Sequence, residues 1–520
     1  MATREKDSSE VSNSITATVS MSSDVKAEAS ERGHPILTRL DPYGNPLVPA
    51  LTSDPQDPMN WSLWRKYVCI LIVCIAYFMF TYFSTITIPS FALLQEQFDA
   101  TYTEVNWTFA ISNLGLAVGP LFTGSLGDTY GRRPVMIFGC IIALVASGCT
   151  SIKTISLNGY MAARFFQGLG CAPASNVGLS IINDISWEHE RGQRIGLWTM
   201  AIGAGGFVGA IVGAFLATID QYWAGYHVAM LFAVLLVLEC CFLPETLYPR
   251  ELVVQAEMNQ IQIDDTGLKR TTQLGYFSLK KVPGVHHPKP WHGITQFFKI
   301  WTYPTVVISL CAYLFGQYWW ICSLLTMEPA AYANDSLQIQ GLLFIGMFVG
   351  VIAAEVLCSG RLSDRIMAIL AKRNNNQRVP EMRLWLGYPA AIISAIGLLL
   401  WGLSVDYHWH WMVGQVAFFL YAFGFQTGNT VISSYLVDNY PEHANEVITF
   451  YAVILNLSAF ADPWFINIWV DATGYTWSFA AQAIICVGVV IPAYAVLQNF
   501  GPCLRKPMRL EHTALETVIP

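Results

Sequence analysis

The sequence predicts an all-α membrane protein with twelve transmembrane helices in two pseudo-symmetric six-helix bundles. Three observations lead there: a composition too apolar for a soluble domain, twelve apolar stretches of membrane-spanning length, and an echo between the two halves of the chain. Of 520 residues, 54% are hydrophobic and 12% charged, against about a quarter charged in ordinary soluble domains. The net charge of -7 leaves no basic footprint for nucleic acid. Cysteines such as Cys69, Cys74, Cys140, Cys149, Cys311 and Cys486 fall inside apolar runs, where they read as small packing residues rather than a disulfide framework.

A window of about 19 residues finds apolar stretches near 67–89, 105–127, 135–152, 158–182, 194–218 and 225–243. After a polar gap, six more lie near 304–327, 338–359, 384–404, 411–436, 446–470 and 476–497. Each suffices as a helix to cross a hydrocarbon core of about 30 Å. The chain then divides into a disordered, serine-rich tail (1–60), a bundle (61–248), a central loop (249–300), a second bundle (301–500) and a short tail (501–520). The first tail has no apolar core that would make it a signal peptide.

Cytoplasmic loops retain lysine and arginine. With the amino terminus inside, only Lys153 of the 29 basic residues falls outside and only Arg164 falls within a span. Both termini are therefore expected in the cytoplasm. The sequons Asn106-Trp-Thr and Asn334-Asp-Ser lie on the outer side but close to spans, and read as chance matches.

The halves repeat one another. Gly124-Ser-Leu126-Gly-Asp128 follows span 2, and Gly360-Arg-Leu362-Ser-Asp364-Arg365 follows span 8. Asp184 with Glu188-His189 after span 4 matches Asp438 with Glu442-His443 after span 10 at the same spacing. Such echoes mark a duplicated bundle.

These residues also carry a resemblance. GSLGDTYGRRPVMIFG resembles the loop signature between helices 2 and 3 of the major facilitator superfamily, and RFFQGLG (164–170) resembles its helix 4 motif. DPMNWSLWRKY before span 1 and LPETLYPR after span 6 resemble fungal drug:proton antiporters with twelve spans. The resemblance covers nearly everything from Asp57 to Phe500. It implies the major facilitator fold and secondary transport driven by a proton gradient, with no cofactor. In helix 5 the antiporter pattern is broken, because alanine stands at 210 and 214 among Gly196, Gly205, Gly209 and Gly213. The sugar-porter forms after helices 6 and 12 are missing.

In the loop, Asp128 ends helix 2, Gly131 permits a tight turn and Pro134 suits the first turn of helix 3. One reading is topological: Arg132 and Arg133 hold the loop inside. The resemblance implies another, a latch in which Asp128 pairs with Arg132 and faces the start of helix 11 near Asn445, with Asp364 and Arg365 as its half-copy. Arg164 either snorkels from the outer end of helix 4 or has a structural or proton-coupling role beside Gln167. Glu355, near the inner end of helix 8, either snorkels to the interface or pairs with Arg361, or it serves in gating and proton coupling. Asp462 lies deeper in helix 11 and precedes Pro463; it carries a proton, caps the broken turn or pairs structurally.

Superfamily geometry implies a central cavity lined by helices 1, 4, 7 and 10. Its candidates are Tyr77, Asn176, Gln317, Trp319, Trp320, Tyr421, Gln426 and Asn429, an aromatic and amide-rich set that suits an amphipathic, uncharged or weakly cationic molecule. Gly205, Gly209 and Gly213 form a small-residue face on which helix 8 is expected to pack, with leak sealing during antiport as the alternative. His286, His287 and His292 lack metal-ligand spacing, and WHGITQFFKIWTYP reads as an interfacial segment. No Walker loop, GxSxG or HExxH occurs, which argues against an ATP-driven pump or a hydrolase. The expected partners are a small molecule, protons and the bilayer, and the expected state is a monomer in the plasma membrane. Uptake on the same scaffold, or a transport-inactive sensor, is the alternative to export.

Overall fold

A computed structural model describes residues 52, 54–250, 253–254, 288–359, 361–374, 379–440 and 443–505. Most of both expected tails and of the central loop, with His286 and His287, lie outside these residues. The first half holds α1 (Leu63–Phe98), α2 (Tyr102–Tyr130) and α3 (Arg132–Thr150). It continues with α4 (157–185), α5 (Glu188–Ala217) and α6 (Trp223–Phe242). The second half holds α7 (Pro304–Ala331), α8 (Leu337–Cys358) and α9 (Pro380–Asp406), then α10 (Trp411–Asn439). The run Ala444–Leu504 folds back at Gly474 into α11 (444–473) and α12 (475–504). Gly474 has φ +79°, where a side chain would be strained.

Among the described residues, nine helical runs are individually long and apolar enough to cross a membrane. One of the nine contains both α11 and α12, and only α4 and α10 fall short. Both are fourth in their half, and polar residues lower their hydropathy: Arg164, Gln167, Asn176 and Asp184 in one, Gln426, Asn429 and Asp438 in the other. Such side chains avoid lipid, so these two helices turn their polar faces inward.

Bends fall where proline removes a backbone donor. Pro89 sits in the turn that divides α1, Pro120 follows the break in α2, and Pro173 does the same in α4. A π-helical turn, Leu314–Tyr318, interrupts α7. Thr101 and Glu104 form a reciprocal capping box that starts α2.

Helix alternation places both described chain ends, the exit of α6 and the α2–α3, α4–α5, α8–α9 and α10–α11 junctions on one side, the basal side. The opposite side is apical. The apolar core forms two clusters, one per half, but Ile88, Phe91, Val105 and Phe109 from the apical part of the first half belong to the second half's cluster. The two bundles are therefore packed together apically. Tyr102 of α2 donates to the Thr326 carbonyl of α7 at 2.7 Å, and Trp107 of α2 stacks on Trp464 of α11 with ring centroids 4.7 Å apart. Asn106 is fully buried in this region, out of reach of glycosylation, whereas Asn334 is exposed.

The glycine face of α5 corrects an expectation. Gly205, Gly209 and Gly213 meet α1, not α8: a methyl on Gly209 would lie 2.6 Å from the Tyr82 carbonyl oxygen, and methyls on Gly205 and Gly213 would overlap the carbonyls of Phe78 and Ile86. The α8-facing stripe is Gly196, Gly203, Ala210 and Ala214, with Gly341 of α8 against Ala214. Neighbouring positions on a helix point about 100° apart, so a shift of one residue selects a different partner. The two alanines that break the sequence pattern therefore belong to the other face.

Candidate functional site

On the basal side, Gly131 takes φ +106° between α2 and α3, and the turn brings Arg132 back onto Asp128, with which it pairs. Arg132 also reaches Asp184 at the end of α4, Nε to Oδ2 3.5 Å. The first N–H groups of α3 have no partner inside the helix. Glu245, beyond α6, takes them up, accepting from Arg132 N at 2.9 Å and Arg133 N at 3.1 Å. Burial pushes the Glu245 carboxyl above the usual range, against the pull of these N–H donors. The Thr246 hydroxyl donates to Asp184 at 2.9 Å. Arg250 donates to buried Asp57 at 2.9 Å, and Tyr248 donates to Asp54 at 2.8 Å. Segments DPMNW and LPETLYPR, far apart in the chain, are thus contact partners.

The second part of α2, which carries Asp128, packs against the run that holds α11, but Asp128 itself is bonded to Arg132 rather than to helix 11. The hydrogen bond to Asn445 comes from Asn183, at 3.4 Å, and none joins Asp128 to α11 among the described residues. In the second half Asp438 pairs with Arg383 at the start of α9, Nε to Oδ2 2.5 Å. The echo between Asp184 and Asp438 is one device used twice: an acid ending the fourth helix holds an arginine at the start of the third. Arg365 is exposed, while Gly360 and the side chains of Asp364 and Arg361 lie outside the described residues.

Arg164 does not snorkel; it is 1% exposed. Its guanidinium donates to the carbonyls of Phe83 at 2.6 Å and Ser84 at 2.8 Å, to Thr87 Oγ1 at 3.2 Å and to Gln167 Oε1 at 3.2 Å. These carbonyls belong to the last turn before α1 breaks, where helix C=O groups lack internal partners and a cation is favoured. Gln167 in turn donates to Ser147 of α3 at 2.9 Å. Arg164 is a cap that joins α4 to the bend in α1.

Between the bundles, Tyr77 of α1 stacks on Trp198 of α5, centroids 3.9 Å apart and planes 5° from parallel. Tyr77 lies within electrostatic reach of Tyr318 and Tyr451 from the second bundle. Tyr451 donates to Asn429 at 2.5 Å and stacks with Tyr313, centroids 6.0 Å apart. Glu355 accepts from Gln426 at 3.0 Å and Thr430 at 3.4 Å, and it occupies the α5–α8 seam where Gly196 leaves it room.

Other expected cavity residues are engaged inside one bundle. Asn176 donates to the Pro120 carbonyl at 2.9 Å, bracing the break in α2. Gln317 donates to Ser394 at 3.0 Å and the Gly424 carbonyl at 3.1 Å, and its own carbonyl, in the π turn, accepts from Tyr421 at 2.5 Å. A π turn disturbs regular pairing, and these side chains absorb it. Trp319 donates to the Ser458 carbonyl at 2.9 Å, and Trp320 is buried beside Trp469.

Asp462 is fully buried, and one oxygen accepts from Ser323 of α7 at 2.9 Å. Its bond goes to another helix rather than to the turn at Pro463, which removes the capping reading. The other oxygen has no partner among the described residues. Sequence reasoning missed two further buried acids, Glu239 in α6 and Glu328 in α7. Glu239 lies within a predicted stretch, and Glu328 one residue beyond a predicted boundary; a search for acids extended one turn past each boundary finds both.

Residues 73–463 match the sequence profile described as Major Facilitator Superfamily. The chain belongs to this superfamily. It is similar to a "Probable efflux pump mfs2" of Aspergillus flavus, 27% identical over 427 residues that cover 80% of this chain and 98% of the relative. It is also similar to an "MFS-type efflux pump MFS2" of Trichophyton rubrum, 26% identical over 475 residues, 90% of this chain and 77% of the relative. Among solved structures, the xylose transporter XylE of E. coli in a partially occluded inward open conformation aligns with a TM-score of 0.60 at 16% identity, over 84% of this chain and 98% of that one. The human organic anion transporter MFSD10 aligns with a TM-score of 0.56 at 16% identity, over 83% and 99%. These likenesses carry the fold. As a Major Facilitator Superfamily member, the protein is a multi-pass secondary transporter.

Proposed function

We propose that this transporter exports a lipophilic or amphipathic small molecule, such as a drug, toxin or secondary metabolite, in exchange for protons by alternating access. The observation that carries the proton exchange is Asp462: a fully buried carboxylate, bridged to a second helix by one hydroxyl, with its other oxygen left for a proton. Export is supported by the names of the two fungal relatives, "Probable efflux pump mfs2" and "MFS-type efflux pump MFS2". The substrate class is supported by the central residues Tyr77, Tyr318, Tyr451, Asn429 and Glu355, which offer aromatic faces, carboxamide bonding and one acid. They favour an uncharged or weakly cationic molecule.

In this reading the basal side is cytoplasmic, following the distribution of lysine and arginine, and the transporter works as a monomer in the plasma membrane with the proton gradient as its only energy source. The basal network built on Asp128, Arg132, Asp184 and Glu245 serves as the inner gate. The test is retention of a panel of lipophilic dyes and toxic compounds by cells with and without the protein, repeated after a protonophore. Lower retention that returns to control with the protonophore supports the reading. Higher retention means uptake, and unchanged retention of every compound despite surface expression means a sensor.

A further inference from the structure

Glu328 is fully buried near the apical end of α7, and neither carboxylate oxygen has a hydrogen-bond partner among the described residues. Tyr102 of α2 donates to the Thr326 carbonyl two residues earlier, so the carboxylate sits directly behind an apical contact between the bundles. The ionisable groups around it are Tyr102 on α2, Tyr332 just past α7 and Asp335 in the next loop, with Tyr475 of α12 beyond Tyr102. None is a cation. Asp335 is exposed, so water lies one loop away. Pro329 follows at once, inside the helix, where it lacks the N–H that would brace this turn.

We infer that Glu328 is an outer proton-exchange residue, loaded from the apical side when the Tyr102–Thr326 contact opens and sealed when it closes. The inference rests on the proton-coupled reading above. A charged carboxylate shut into this site without a donor costs several kcal/mol, so apical closure is tied to a neutral Glu328. Five residues earlier on the same helix, Ser323 holds Asp462. Glu328 and Asp462 are therefore two stations served by α7.

The test uses the full-length protein in liposomes, treated with dicyclohexylcarbodiimide, which modifies neutral carboxyl groups in apolar surroundings, and mapped by peptide mass spectrometry. Glu328 should be modified, less so as the pH rises, and E328Q should remove that adduct while leaving the one at Asp462. E328D should restore it. In the same liposomes E328Q should lose gradient-driven rhodamine 6G movement yet keep dye-for-dye exchange, which shows that it is folded. No adduct at Glu328 at any pH, with Asp462 modified in the same sample, overturns the inference. A wild-type protein indifferent to the gradient but modified at Glu328 as described supports the exchange site and overturns the proton-coupled reading instead.

Discussion

Ser323 of α7 donates to one oxygen of Asp462 on α11 across 2.9 Å, joining two helices of the second bundle at a fully buried acid. Asparagine can keep an oxygen for this bond but carries no titrating proton. Asp462→Asn should therefore reach the surface at wild-type levels, retain exchange of a transported dye and lose its acceleration by a pH gradient. A variant as gradient-driven as wild type rules out Asp462 as the carrier.

Arg164 supplies several N–H donors in a fixed fork to the carbonyls that end the first part of α1. Lysine offers one mobile ammonium in place of that fork. Arg164→Lys should leave at least one buried carbonyl unpaired and lower stability by about 1 to 3 kcal/mol, read as a fall in thermal midpoint of the detergent-solubilised protein. An unchanged midpoint contradicts the capping role.

A methyl on Gly213 would overlap the Ile86 carbonyl, whereas one on Gly148 meets nothing within 4 Å. Gly213→Ala should cost about 1 to 3 kcal/mol through overpacking between α1 and α5. Gly148→Ala should be neutral or slightly stabilising. Equal thermal midpoints for the two variants would falsify the assignment of this face to α1.

Asp57 is fully buried against Arg250, while the arginine side chain is about one-fifth exposed. Removing the arginine strands a buried carboxylate, so Arg250→Ala should destabilise by about 3 kcal/mol, the low end for a buried pair because the arginine is partly solvated. Asp57→Asn together with Arg250→Ala should recover part of the loss in the same melting measurement. A double variant no better than the single one means that the pair does not couple the two segments.

The twelve helices were legible because membrane thickness and backbone satisfaction leave few choices, and the superfamily because GSLGDTYGRRPVMIFG resembles its loop signature. The echo of Asp184 and Asp438 was legible too, since duplication preserves spacing. Facing was not. Gly213 and Ala214 differ by one position, yet one meets α1 and the other α8. Asn176 and Gln317 sit on cavity-lining helices, but the Pro120 carbonyl at the break in α2 takes up the Asn176 amide, and Ser394 and the Gly424 carbonyl of the same bundle take up that of Gln317. Glu245 was hidden for a related reason, because its role as a cap on α3 depends on a contact more than a hundred residues away.

The most direct test of proton-coupled export follows the protons themselves. With a permanently charged or neutral compound that the cell panel identifies as transported, the protein is reconstituted in liposomes holding a pH-sensitive dye, the membrane voltage is clamped, and the compound is added outside. Exchange requires that its entry drive protons out, so the lumen should become alkaline, and Asp462→Asn should abolish the change. A lumen that turns acid would show symport, and one that stays constant while the compound enters would show transport without protons; either contradicts the account.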